Sequence, residues 1–251
     1  MSHEPGSRTA IVTGGGRGIG RAAAVALSED GWNVVVTGRT AAPLGETVGL
    51  LVGDGRAVVS DVSRADDVDR IFDETVAAFG RVDLLFNNAG IAAAAVPVDE
   101  LEVDVWEQVI AINLTGSFLC ARAAFAQMRG QEPQGGRIIN NGSISAETPR
   151  PFSAPYTASK HAITGLTKSL ALDGRSLGIC VGQIDIGNVA SDMTAKMSAG
   201  ILQPNGSVVS EATMHMRNVA ISVVHMANLD ADANVLSMTV MANEMPFVGR
   251  G

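Results

Sequence analysis

The chain is 251 residues long, 46% hydrophobic and 18% charged, which is enough apolar material for one α/β domain with a sizeable core. Its 18 Lys and Arg against 26 Asp and Glu leave a net charge of −8, and this argues against nucleic-acid partners, which are met by clustered cations. Cys120 and Cys180 match no metal spacing and read as buried free thiols, the polar start 1–10 resembles no signal, and no uninterrupted apolar run spans a bilayer, so a soluble cytoplasmic protein without a membrane partner is expected.

No repeat or linker divides the chain, so one domain over 1–251 is expected. Short β-branched runs at 10–13, 34–37, 57–59, 82–86, 137–141, 179–184 and 235–241 are separated mostly by helix-length intervals. The runs are apolar on both sides instead of alternating, as in strands covered by helices on both faces. The fold class is therefore α/β: a doubly wound three-layer sandwich with a seven-stranded, mainly parallel sheet. Asp61 or Ser63 can cap the helix that ends at Phe79 and Gly80, and Ser153 can cap the helix that carries Tyr156. Ligands in such sheets sit at the carboxyl ends of the strands.

After the first run comes Thr13-Gly14-Gly15-Gly16-Arg17-Gly18-Ile19-Gly20, opening an Ala-rich helix. A turn into a helix N-terminus needs glycines where a Cβ would hold the backbone away from a pyrophosphate drawn by the helix dipole and free N–H groups. The spacing is G-x-x-x-G-x-G and not G-x-G-x-x-G. The second run ends Val36-Thr37-Gly38-Arg39, with Gly38 where an acid would bind the ribose hydroxyls of NAD. Arg39 offers a planar cation to a 2′-phosphate and Arg17 a second, so NADP(H) is preferred, while NAD(H) stays open if Arg39 pairs elsewhere.

Further along stand Asp61-Val62, Asn87-Asn88-Ala89-Gly90, Asn113 in Ile112-Asn113-Leu114-Thr115-Gly116, Ser143, and Tyr156-Thr157-Ala158-Ser159-Lys160. With the glycine turn, these motifs in this order make the chain resemble the short-chain dehydrogenase/reductase family from its first strand to its last. The resemblance implies a Rossmann-type NAD(P)-dependent enzyme that moves a hydride between cofactor and a small-molecule carbonyl or secondary alcohol, commonly as a homotetramer built on its two longest helices and last strand. It implies Asn113, Ser143, Tyr156 and Lys160 as catalytic residues. Cofactor contacts would come from Gly14, Arg17, Gly18, Ile19, Gly20, Arg39, Asp61, Val62, Asn88, Ala89, Gly90, Tyr156, Lys160 and Ile184.

The chemistry requires the same residues. Hydride transfer leaves charge on the substrate oxygen, so a proton must be delivered there. Tyr156 is the only tyrosine. A phenol ordinarily titrates near pKa 10, so it needs a cation, and Lys160 lies four residues on, on the same helical face. Ser143 would hydrogen-bond the substrate oxygen, and Asn113, by resemblance, would hold a water that links Lys160 to solvent. His161 points elsewhere on the helix and is assigned to packing, and no metal-ligand cluster is evident.

Three segments depart from the family or shape the pocket. Val181 stands where the family usually has Pro, and Ile186 where it has a Thr that contacts the nicotinamide amide, leaving backbone near Ile184 or the side chain of Asn188 for that task. The stretch 188–218, with Met193, Met197, Ile201, Leu202, Met214 and Met216, reads as a mobile substrate lid over an apolar pocket, or equally as methionines packing on the body. A pocket lined by Arg150, His215 or Arg217 would contradict the apolar reading. The ending Met245-Pro246-Phe247-Val248-Gly249-Arg250-Gly251 reads as an apolar hook at a subunit interface. A cofactor-binding regulatory protein without turnover is the alternative from another class.

Overall fold

The structure is a computed structural model, and it describes residues 8–190 and 200–248. Seven strands form one sheet: β1 Thr9–Thr13, β2 Asn33–Gly38, β3 Gly55–Val59, β4 Leu84–Asn87, β5 Gly136–Asn141, β6 Ile179–Ile186 and, at its far edge, Ser237–Val240. A separate small hairpin, β7 Ile201–Leu202 with β8 Val208–Val209, precedes that last strand, which is therefore β9. The sheet order is β3-β2-β1-β4-β5-β6-β9. Every pairing in it is parallel.

Alternate residues of each strand enter opposite cores, which is why the runs are apolar throughout. Ala10, Val12, Val34, Val36, Leu84 and Phe86 pack beneath α1 (Gly18–Glu29) and α7 (Met216–Ala227). Ile11, Val35, Val58, Leu85 and Ile138 pack beneath α3 (Ala65–Phe79) and α5 (Ser117–Gly130). Each fully buried Leu, Ile or Phe contributes about 1.5–3 kcal/mol relative to exposure. The short α2 (Ala41–Val48) sits against β2 and β3. The 20-residue α6 (Ala154–Asp173) lies along β6, with Leu170 and Ala171 against the second core.

Several local expectations are corrected. Neither Asp61 nor Ser63 caps α3: Asp61 Oδ1 accepts from Ser63, while Asp67 in the first turn takes the Asp61 N–H at 2.8 Å. That bond, with the Arg70 guanidinium second, holds the Asp67 carboxyl below its ordinary value. Gly80 does close the helix, in the left-handed conformation at φ 81°. Ser153 occupies the N-cap of α6, but its hydroxyl bonds Arg150 O and Thr157 Oγ1. Cys120 is a buried free thiol as expected, whereas Cys180 is only half-buried.

The continuous helical stretch Val103–Gly130 is long and apolar enough by mean composition to cross a bilayer, although Asn113, Thr115, Ser117 and Arg122 interrupt it, so it is not an uninterrupted apolar run. Half of its most apolar 18-residue window is buried inside the fold, where α5 covers β4, β5 and β6. It comprises α4 (Val103–Ile110), one π turn (Ala111–Gly116) and α5.

Candidate active site

The order of the sheet reverses between β1 and β4, and the crevice at their carboxyl ends is where doubly wound sheets take ligands. The glycine turn leaves β1 there. Gly14 and Gly18 have φ of 64° and 56°, the region that favours glycine. A Cβ on Gly20 would stand 2.3 Å from Gly14 O, so the turn closes on α1 only because that atom is missing. A Cβ on Gly18 would meet nothing within 4 Å, which leaves an open approach to the N-terminus of α1. That cradle fits a pyrophosphate.

The second turn is knitted to the first. Thr13 Oγ1 accepts the N–H groups of Asn88 and Ala89, both at 2.9 Å, and Asn88 Nδ2 donates to Thr13 O at 2.8 Å. Gly90 passes Asn113, whose Oδ1 would lie 3.3 Å from a Cβ there. At the end of β3, Asp61 is half-buried and Val62 is buried against Gly116. Ile19 packs on the first core. Arg17 and Arg39 are both exposed at this rim, and neither guanidinium makes a hydrogen bond or ion pair with a described residue. Arg21 is different: it donates to Gly16 O and Thr47 Oγ1 and pairs with Glu46 at 2.9 Å, bracing the glycine turn against α2.

Tyr156 and Lys160 stand one turn apart on α6, with Lys160 Nζ 5.5 Å from the phenol ring centroid. The ammonium is nearly buried at 5% exposure and donates to Asn141 O at 2.7 Å. Its other two donors find no partner among the described residues, which fits ribose hydroxyls arriving from the crevice. Ser143 follows β5; its N–H donates to Asp185 Oδ1 at 2.9 Å and its Oγ accepts from Ser145 N–H at 3.1 Å, so the hydroxyl proton is left for a ligand. His161 faces solvent with Nδ1 beside Thr157 O, so it points away from the site but does not pack.

Asn113 lies in the π turn and is 2% exposed. Its Oδ1 accepts Ile91 N–H, and its Nδ2 donates to Ile91 O and to Ser159 Oγ at 2.9 and 3.1 Å. Both amide hydrogens are therefore used within the protein, and the side chain braces the residue before Lys160.

Ser143 and Tyr156 line a cleft of about 700 Å³ whose walls are mostly apolar, including Ile144, Phe152, Ile186, Val189 and Leu202. Of Arg150, His215 and Arg217, only Arg150 enters the wall. It is engaged there by Glu211 at 2.6 Å and by Asn188 Oδ1 at 2.8 Å. Asn188 Nδ2 and Gln203 Nε2 also donate to the buried Glu211 carboxylate, at 2.7 and 2.9 Å. Ile201, Leu202 and Val208 of the hairpin cover the cleft, whereas Met214 is buried in the first core and Met216 packs beside it. Met193 and Met197 lie outside the described residues.

The terminal hook folds back on its own chain: Met245 is buried in the first core and Phe247 lines the cleft, while Val248 is exposed. The register after β6 is also corrected. Val181 lies inside that strand, which ends at Ile186, so Ile186-Gly187 hold the place assigned to Val181-Gly182. With the same five-residue offset, the position that the resemblance assigns to the nicotinamide amide would fall at Ser191 instead of Ile186, outside the described residues. Ile184 is fully buried and its carbonyl accepts Gly142 N–H, so it is withdrawn from the cofactor set.

The comparisons with known proteins agree with this fold. Residues 8–201 match the family model of the short chain dehydrogenases. The chain belongs to the short chain dehydrogenase family. It is 36% identical over 245 residues to a short chain dehydrogenase/reductase, astE, of Aspergillus oryzae, covering 93% of this chain and 92% of that protein. A 3beta-hydroxysteroid dehydrogenase of Mediterraneibacter gnavus is 38% identical over 194 residues, covering 76% of this chain and 69% of its own. The fold is shared with a 3-ketoacyl-(acyl-carrier-protein) reductase of Brucella melitensis solved with NADH, at TM-score 0.84 and 24% identity over 94% of this chain and 97% of that one. As a member of the short chain dehydrogenases it is an NAD(P)-dependent oxidoreductase acting on carbonyl and alcohol groups.

Some functional residues escaped sequence reasoning. Arg150 and Glu211 meet across 61 positions, and no local pattern announces the pair. Asp185, Gln183, Thr167, Asn140 and Asn87 form a buried polar chain across β6, α6, β5 and β4 that fixes the strand ends beside Ser143 and Asn88. Its signal was present: polar residues at the ends of otherwise apolar runs.

Proposed function

We propose that the protein reduces apolar ketones, or oxidises the matching secondary alcohols, with NADP(H). The observation that carries the reading is that Tyr156 and Ser143 line one mainly apolar cleft while Lys160 stands one turn behind Tyr156, 5.5 Å from its ring centroid. The bound nicotinamide supplies or accepts the hydride. Ser143 Oγ–H and Tyr156 Oη–H donate to the substrate oxygen, and Tyr156 gives up its proton as charge develops there. The Lys160 ammonium stabilises the resulting phenolate and holds ribose hydroxyls. Asn113 supports this pair by fixing Ser159 and the 91 region.

Gly14, Gly18 and Gly20 would admit the pyrophosphate, and Asp61 and Val62 would flank the adenine. Asn88, Ala89 and Gly90 would form the floor. Arg39, with Arg17, would take the 2′-phosphate, a role supported by two exposed guanidinium groups at a rim without a carboxylate at position 38. Fluorescence titration with NADPH and NADH on one sample tests this. Preference for NADPH that disappears in Arg39→Ala supports it, and preference for NADH overturns the phosphate site alone. We propose a cytoplasmic homotetramer as the working form.

A further inference from the structure

We propose that the substrate site is longer than the catalytic cleft: it continues past Phe152 into an outer groove, and it takes uncharged, elongated apolar ketones or alcohols that occupy both. This rests on the oxidoreductase reading of the cleft given above. The outer groove has a volume of about 460 Å³ and adjoins the cleft of about 700 Å³ through shared lining residues. One loop supplies Ala92, Ala93 and Ala95 to the cleft and Val96, Pro97 and Val98 to the groove. A second loop supplies Arg150, Phe152 and Ser153 to both, so these three residues stand at the seam.

Phe152 holds an unusual backbone conformation. Its φ is 59°, and it is the one non-glycine residue with a positive φ among the described residues. A bulky side chain rarely adopts this region, and such conformations persist where the surroundings impose them, often at ligand clamps. Here the imposing groups are visible. Ser153 Oγ donates to Arg150 O at 2.7 Å and meets Thr157 Oγ1 at 2.8 Å, while Arg150 itself is held by Glu211 and Asn188. Ser153 thus gives up capping α6 and pins the turn that presents Phe152. The ring is 45% exposed, an apolar surface shared by the two hollows.

Charge defines the rest of the ligand. Arg150 is the cation at the seam, and its guanidinium is already bound to a buried carboxylate. At the outer end stands the Asp99 carboxylate. A carboxylate tail on the substrate would meet that like charge, whereas an alkyl or fused-ring extension would lie on Val96, Pro97, Val98 and Phe152.

The test is NADPH-dependent reduction of the 2-alkanones from 2-pentanone to 2-dodecanone, alongside an oxo acid of matched length with a terminal carboxylate. We expect kcat/KM to rise through the whole series, by roughly threefold per buried methylene, with the gain in KM and kcat nearly constant. The oxo acid is expected to fall below its uncharged counterpart. Phe152→Ala, which alters the wall of both hollows, should lower kcat/KM of the longest members by about tenfold. Val98→Asp, at an exposed position outside the lining of the inner cleft, should cancel the gain of the long members alone, and it serves if Phe152→Ala folds poorly. A plateau once the inner cleft is filled, unmoved by Val98→Asp, overturns the proposal and leaves the oxidoreductase reading standing. No turnover of any member by protein that binds NADPH overturns both.

Discussion

Lys160 is nearly buried yet spends one donor on Asn141 O, so its remaining two are directed at whatever enters the crevice. Replacing it by Met keeps the length of the stem and removes the charge. We expect Lys160→Met to lower kcat by about 10²–10⁴-fold and to weaken NADPH binding as well, because the same ammonium serves both tasks. At the opposite rim, Arg39 is expected to act on affinity alone: a charge-assisted hydrogen bond contributes about 1.5–3 kcal/mol, so Arg39→Ala should weaken NADPH by about 10- to 100-fold and leave NADH unchanged. The two cysteines differ in burial. Burial pushes the Cys120 thiol up to about 12, so it stays protonated at neutral pH, whereas Cys180 is half-buried. A thiol titration at pH 8 should therefore modify Cys180 in the native protein, and Cys120 only after denaturation. Because the folded Cys120 is the harder to ionise, its contribution to stability is present below about 8.5, the ordinary thiol value, and is lost as pH rises from there towards 12.

At the scale of the elements, the turn from β1 into α1 depends on a missing atom. Gly20→Ala would set a Cβ 2.3 Å from Gly14 O, and backbone cannot rotate away as a side chain can. We expect a loss of about 1–3 kcal/mol in thermal unfolding together with weaker NADPH binding. The hairpin β7–β8 depends on the Glu211 carboxylate, which is fully buried and accepts from Arg150, Asn188 and Gln203. Glu211→Ala should cost about 3 kcal/mol, since removing one member of a buried pair exposes the other's desolvation. Glu211→Gln, which keeps one acceptor, should cost less. These two elements also mark what a sequence makes legible. The glycine turn, the seven apolar runs and the Tyr156–Lys160 spacing are local patterns with direct steric or helical causes, and the strands formed within a few residues of their expected bounds. The Arg150–Glu211 pair, the positive φ of Phe152 and the occupation of Asn113 by Ile91 arise from contacts between distant segments. The misplaced register at Val181 has a simpler origin: Gly182 mimics the Gly of the family pair, but it serves packing, since a Cβ there would lie 2.0 Å from Val235 O.

For the molecule as a whole, the sheet brings the ends of β4, β5 and β6 level, so that Asn87, Asn140 and Gln183 connect across it and the crevice and cleft are held by one polar seam. Both halves of the reaction therefore rest on the same rigid edge. The surface of the long helical stretch leaves Val103, Trp106 and Phe118 exposed, and Leu172 near the end of α6 with them. Apolar faces of this kind suit the proposed homotetramer, and light scattering should return four times the mass of one chain. The central claim is proton transfer by Tyr156 during NADPH-dependent carbonyl reduction. It is tested by following NADPH consumption with 2-decanone for the wild type and Tyr156→Phe while titrating NADPH binding to both. The expected result is unchanged binding with a loss of about 10²–10⁴-fold in kcat for the variant. A variant that binds NADPH and turns over at the wild-type rate would contradict the account.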